Sequence, residues 1–184
     1  MNFRILDSNS NSNSNSEETV ARLFTSVFSS SEGEQEGRLI GRLASALAAH
    51  TDNRNIIGIG AYENDSLIGT IFFTRLQFNE PVEAYMLSPV AVSTAHQGRG
   101  VGQALIQFGL AELKNRSATL AVTYGDPAFY SKVGFQALSK DVVQAPHPLT
   151  MPDGWLGQSL SGEAIPTLKS RPSCVLEFDN PDYW

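Results

Sequence analysis

The sequence has a single cysteine, Cys174, among 184 residues. That excludes an internal disulfide and a cysteine-rich metal site, and it fits a reducing compartment. The chain has no run of Lys or Arg; its formal net charge is −6 and its pI about 5.0. Nucleic acid and an anionic membrane surface are therefore poor partners, and a cationic acceptor suits the charge better. No apolar run approaches the roughly 18 residues of a membrane span, and no charged-then-apolar leader opens the chain, so the sequence reads as soluble and cytoplasmic. The three histidines, His50, His96 and His147, stand far apart without ligand spacing, and no metal site is expected. Neither an internal repeat nor a linker is visible. Hydrophobic residues make up 41% of the chain, enough to bury a core. The expectation is one domain over 1–184, with a core at about 1–138 and a C-terminal extension over 139–184.

What is present is an alternation of helical and extended patterns. "NFRIL" (2–6) predicts a short strand. A polar tract over 7–16 has nothing to bury and predicts a loop, with Ser14 or Asn15 placed to cap the next helix. Val20, Leu23, Phe24, Val27 and Phe28 recur at helical spacing, and a second stripe follows Gly37 through Leu39, Ile40, Leu43, Ala46 and Leu47 until Asp52-Asn53. Strands are predicted over 55–62 and 66–76, joined by a hairpin at Glu63-Asn64-Asp65, and over 81–92. Pro89 cannot donate to a ladder, so that last strand should break or bulge near Ser88-Pro89, with its next pairing opening beyond. A buried helix is predicted from about Gly100 to Asn115, a strand over 118–124, and a short helix over 127–134 with Pro127 at its start and Gly134 at its stop. Strands over 135–138 and 173–178 complete the pattern, around a Pro- and Gly-rich segment of little periodicity, 139–173.

The chemistry-bearing stretch is "QGRGVG", Gln97-Gly98-Arg99-Gly100-Val101-Gly102, between a strand and a helix. Glycines let successive amides converge on one anion, and a helix start adds partial positive charge. Arg99 can add a bidentate contact. A P-loop would need Gly-Lys-Ser/Thr, whereas Gln103 follows Gly102. A dinucleotide fingerprint would need G-x-G-x-x-G after the first strand, whereas this motif is mid-chain. A plain turn and helix start remains the reading of the loop taken alone.

A second motif, "GDPAFYSKVGF", lies at 125–135. Together the two resemble the GCN5-related N-acetyltransferase (GNAT) superfamily, in its branch of predicted acetyltransferases. The acyl-coenzyme-A loop pattern Gln/Arg-x-x-Gly-x-Gly/Ala is met by Gln97, Gly100 and Gly102, and the later Tyr-x-Lys/Arg-x-Gly-Phe pattern by Tyr130, Lys132, Gly134 and Phe135. The element order is also similar, over about 1–138. At two positions the chain departs from the pattern: Thr123 and Asp126 stand where many members carry Asn and Ala.

The resemblance implies an α/β (α+β) domain with a mixed, mostly antiparallel sheet split near its fourth and fifth strands and flanked by helices. It implies an N-acetyltransferase using acetyl-CoA as co-substrate and a primary amine as acceptor. Residues 97–102, Gly98, Arg99 and Val101 included, would hold the diphosphate, and the backbone of Val90, Ala91 and Val92 would pair with the pantetheine arm. Tyr130 would be the general acid, Glu83, read as lying in the fourth strand, the base, and Ser88 a water relay. Asp126 is read as stabilising its helix's first turn, Tyr124 and Phe129 as core or cofactor-lining, and His96 as a surface residue. A non-catalytic acyl-CoA-binding module on the same fold is the alternative. The chain would be a monomer or a homodimer paired through "CVLEF" (174–178).

Overall fold

A computed structural model describes residues 1–7, 17–51 and 54–184. The predicted loop over 8–16, its caps at Ser14 and Asn15, and the helix stop at Asp52-Asn53 lie outside the described residues. The chain divides into two compact units, Met1–Phe73 with Pro89–Phe108, and Thr74–Ser88 with Gly109–Trp184. Strands β3 (Ser66–Leu76) and β4 (Ala84–Val92) and helix α3 (Val101–Asn115) contribute residues to both.

In the first unit, β1 (Asn2–Ile5) pairs antiparallel with β2 (Ile56–Glu63), from Asn2↔Tyr62 to Ile5↔Ile59. The hairpin into β3 turns on Asn64 (φ 49°) and Asp65 (φ 60°). Two successive left-handed residues give the two-residue turn that matches strand twist, and Asn and Asp tolerate it best after glycine. Arg4 donates to Asp65 at 2.7 Å, tying β1 to that turn. Helices α1 (Glu17–Glu32) and α2 (Glu34–Ala49) form a tight pair. A Cβ on Gly37 would lie 1.9 Å from Ser29 Oγ, and one on Gly41 2.0 Å from Thr25 Oγ1, so two glycines one turn apart set this approach. The buried stripe of α1 (Val20, Phe24, Val27) supplies Phe24 to a ring contact with Phe72 of β3, 6.0 Å between centroids.

In the second unit, the start of β4 pairs parallel with β5 (Leu120–Tyr124), from Ala84↔Leu120 to Leu87↔Thr123. β5 pairs antiparallel with β7 (Trp155–Ser159), which takes the two-residue β6 (Gln136–Ala137) on its other side. The strand order is β1-β2-β3-β4-β5-β7-β6. The mixed sheet and its four helices are the α/β architecture expected from the sequence.

Three expectations are corrected. β4 runs through Pro89 without a break, while its ladder to β5 ends at Leu87, so the pairing opens there as expected. Proline's fixed φ suits an extended chain, and its missing N–H follows the last rung. The predicted strand over 173–178 is absent. Ser173 makes an isolated bridge with Gln77, and Leu176–Phe178 forms a 3-10 turn. Here Phe178 is buried and Leu176 is 86% exposed, so aromatic anchoring beside Trp184 overrides the extended pattern. "CVLEF" therefore offers no strand for pairing across a dimer. The seventh strand comes instead from Trp155–Ser159, inside the segment read as unpatterned.

Candidate functional site

The glycine loop lies in the first unit. β4 ends at Val90, Ala91 and Val92, with Ala91 buried and its two neighbours partly exposed. A 3-10 turn, Thr94–His96, leads into Gln97, whose side-chain amide donates to the Val92 carbonyl at 2.9 Å and ties the loop to the strand end. Gly98 (φ 71°) and Gly100 (φ 77°) are both left-handed, and a Cβ on either would meet nothing within 4 Å. Glycine is required at these two positions for the dihedral and not for space. Ala104 donates to the Gly100 carbonyl at 3.0 Å as α3 begins. The amides of residues 100–103 are thus those a helix start leaves without an intrahelical acceptor. Val101 is buried and Gly102 partly exposed beneath them.

Arg99 is mostly exposed, and its guanidinium lies 3.9 Å from a Glu63 carboxylate oxygen. His96 Nε2 lies 3.3 Å from the other oxygen. His96, read as a surface residue, is partly exposed and paired with Glu63. Its ring is 21% exposed, and its Nδ1 is buried with no hydrogen-bond partner among the described residues. No sequence signal links Glu63, at the end of β2, to the loop; the hairpin brings it there.

The phenol lies in the second unit. Thr123 donates its hydroxyl proton to the Leu87 carbonyl at 2.8 Å, at the last rung of the β4–β5 ladder. Beyond β5, Asp126 caps α4 (Pro127–Tyr130) by accepting from the Ala128 amide at 2.8 Å, with Pro127 at the first helical position, as expected. A 3-10 turn over Ser131–Val133 and left-handed Gly134 (φ 97°) stop the segment. Tyr130, at the end of α4, is held edge-on by Phe129 (5.1 Å) and Phe135 (5.9 Å). Gly125 permits a close approach, since a Cβ there would lie 2.8 Å from Tyr130 Cε2. Burial pushes the phenol above its ordinary range; a hydrogen bond with Thr123 pulls the other way, and the Asp126 carboxylate adds to the rise. The departure at position 123 thus has a local use. Tyr124, read as core or cofactor-lining, is partly exposed; its hydroxyl accepts from the Met151 amide at 2.7 Å and its ring stacks on Trp184.

Glu83 does not lie in β4. It precedes the strand, with its carboxylate bound to Arg75 through both oxygens at 2.7 and 2.9 Å and its carbonyl accepting from the Thr119 and Leu120 amides. It sits four residues, about 13 Å of extended chain, before the end of the β4–β5 ladder. Ser88 follows that last rung directly and is partly exposed.

The sequence model of the family described as "Acetyltransferase (GNAT) domain" matches residues 10–138. The chain belongs to the GNAT acetyltransferase family. A relative in Escherichia coli (strain K12), an uncharacterized N-acetyltransferase YjhQ, is 29% identical over 123 residues, 64% of this chain and 67% of YjhQ. YhbS of the same organism, also an uncharacterized N-acetyltransferase, is 30% identical over 82 residues, 44% of this chain; the match spans about half of YhbS (49%). Among solved structures, Escherichia coli YhbS in complex with CoA has a TM-score of 0.74 at 19% identity, covering 97% of this chain and 92% of that one. A GNAT family acetyltransferase from Brucella melitensis, in complex with acetyl-CoA, has a TM-score of 0.69 at 23% identity, covering 97% and 99%. These likenesses bear out the GNAT fold.

Proposed function

We propose that this GNAT protein transfers an acetyl group from acetyl-CoA to a primary amine by direct attack, in the cytoplasm. The observation that carries the reading is the loop Gln97–Gly102. Two left-handed glycines stand at the head of a 15-residue helix, beside Arg99, and a helix start with its free amides suits a diphosphate. CoA and acetyl-CoA in the related structures support the same assignment.

In this reading residues 97–102 hold the diphosphate. The backbone of Val90, Ala91 and Val92 pairs with the pantetheine amides as an added strand would. An amide near Ala91 or Val92 polarises the thioester carbonyl. The neutral amine attacks, its C–N bond forms and the C–S bond breaks. Tyr130 gives its phenol proton to the departing sulfur, and the proton lost by the acceptor nitrogen restores the balance through solvent. Such general-acid help contributes about 10²–10⁴-fold. Deprotonation of the incoming ammonium is assigned to Glu83 through water and Ser88; Glu83 must first release Arg75. A Glu83→Gln variant that retains full rate hands that step to solvent.

The test is to incubate the protein with acetyl-CoA and a panel of amines and follow free thiol. Acceptor-dependent thiol release supports the reading. Tight CoA binding without thiol release for any amine would leave a non-catalytic acyl-CoA-binding module instead.

A further inference from the structure

His147 comes from one stretch of the C-terminal region and Cys174 and Asp179 from another, yet their ligand atoms lie within 4.8 Å of one another. They are the only such metal-ligating cluster among the described residues. The expectation of no metal site rested on linear spacing, which cannot show this. From the geometry we infer that these three side chains bind one divalent ion of the zinc type.

The donor set is the first argument. Imidazole nitrogen, thiolate sulfur and carboxylate oxygen are the three protein donors zinc takes, with bonds of about 2.0–2.3 Å. Tetrahedral ligand atoms then sit roughly 3.3–3.8 Å apart. His147 Nε2 and Asp179 Oδ1, now hydrogen-bonded at 2.8 Å, must part by about half an ångström, and the sulfur must close in by about one. Side-chain rotation achieves both. Thiolate and carboxylate together balance the charge of a dication, and the thiol proton leaves to solvent on binding.

Preorganisation is the second. His147 stands between Pro146 and Pro148, and the Pro146 carbonyl accepts from Arg171 at 3.3 Å. Cys174 follows Ser173, which exchanges two backbone hydrogen bonds with Gln77 at 2.9 and 3.0 Å. Asp179 closes the 3-10 turn, its amide donating to the Leu176 carbonyl at 3.1 Å. The buried Trp184 ring, 6.0 Å from the imidazole, walls one side. His147 also lines an open groove with Pro148 and Trp155, which gives the ion an access route. Three protein ligands leave one position for water. The ion would clamp the chain's last residues to the segment that leads into β7, and the inference does not depend on the acetyl-transfer reading.

The test is a Co²⁺ titration of the untagged, metal-stripped full chain, followed by absorbance. A thiolate-to-cobalt charge-transfer band that saturates at one equivalent, with visible bands of tetrahedral intensity, supports the site. Zn²⁺ should displace the cobalt and raise Tm. Cys174→Ser should abolish the charge-transfer band, and His147→Gln or Asp179→Asn should each weaken binding at least about 10-fold. Absence of the band at saturating Co²⁺ in the unsubstituted protein would overturn the inference. So would a titration unchanged by His147→Gln, since sulfur alone would then hold the metal.

Discussion

Thr123 Oγ1 lies 2.8 Å from the Leu87 carbonyl oxygen, so a side chain of β5 occupies the acceptor where its ladder with β4 stops. The same hydroxyl opposes the rise that burial imposes on the pKa of the Tyr130 phenol. Thr123→Val keeps the shape and removes the bond to Leu87 together with the influence on the phenol. In a fully buried position this should cost about 1–3 kcal/mol of stability. With that influence gone the phenol becomes a weaker acid, and kcat should fall about 10-fold while CoA affinity is unchanged. Steady-state kinetics and denaturant unfolding check both parts.

Gly98→Ala and Gly100→Ala separate dihedral from space. Neither new methyl meets an atom within 4 Å, but both residues sit at φ near +75°, where an L-residue costs about 1–2 kcal/mol. The loop should shift and the KM for acetyl-CoA should rise about 10-fold, with kcat little changed.

Gly125→Ala should do the reverse. Its methyl would press on the Tyr130 ring at 2.8 Å, displacing the phenol. A drop in kcat of about 10-fold or more, at near-constant KM, is expected from misplacement of a reacting group.

The acid behaviour of the C-terminal region should follow Glu80. Its carboxylate accepts from the Ser170 hydroxyl, the Ser170 amide and the Lys169 amide, which pull its pKa down from 4.5 to about 2. A folded-state value below the unfolded one adds stability above pH 4.5 that is lost as pH falls towards 2. Glu80→Gln should flatten the stability–pH profile over that window, as read by unfolding at stepped pH.

What the sequence revealed and what it hid divides along local and non-local lines. The β2–β3 hairpin was legible because Asn64 and Asp65 carry the turn in their own dihedrals. The glycine loop, α3 and the Asp126–Pro127 helix start were legible for the same reason. β7 was hidden because "WLGQS" is short and poor in β-branched residues; it is a strand because β5 and β6 flank it. Residues 173–178 misled because "CVLEF" reads as extended, while burial of Phe178 and Trp184 decides its path. The reach of Glu63 to Arg99, the clamp of Arg75 on Glu83, and the meeting of His147 with Cys174 are tertiary facts with no periodic trace.

The central claim is that Tyr130 protonates the departing thiolate while residues 97–102 hold the cofactor, and Tyr130→Phe, assayed for turnover and for CoA binding at pH 8, tests it most directly. Burial holds the phenol's pKa above its ordinary value of 10.0, so the group is protonated at pH 8. The account predicts that the variant loses about 10²–10⁴-fold in kcat with its CoA affinity intact; full turnover by Tyr130→Phe would contradict it.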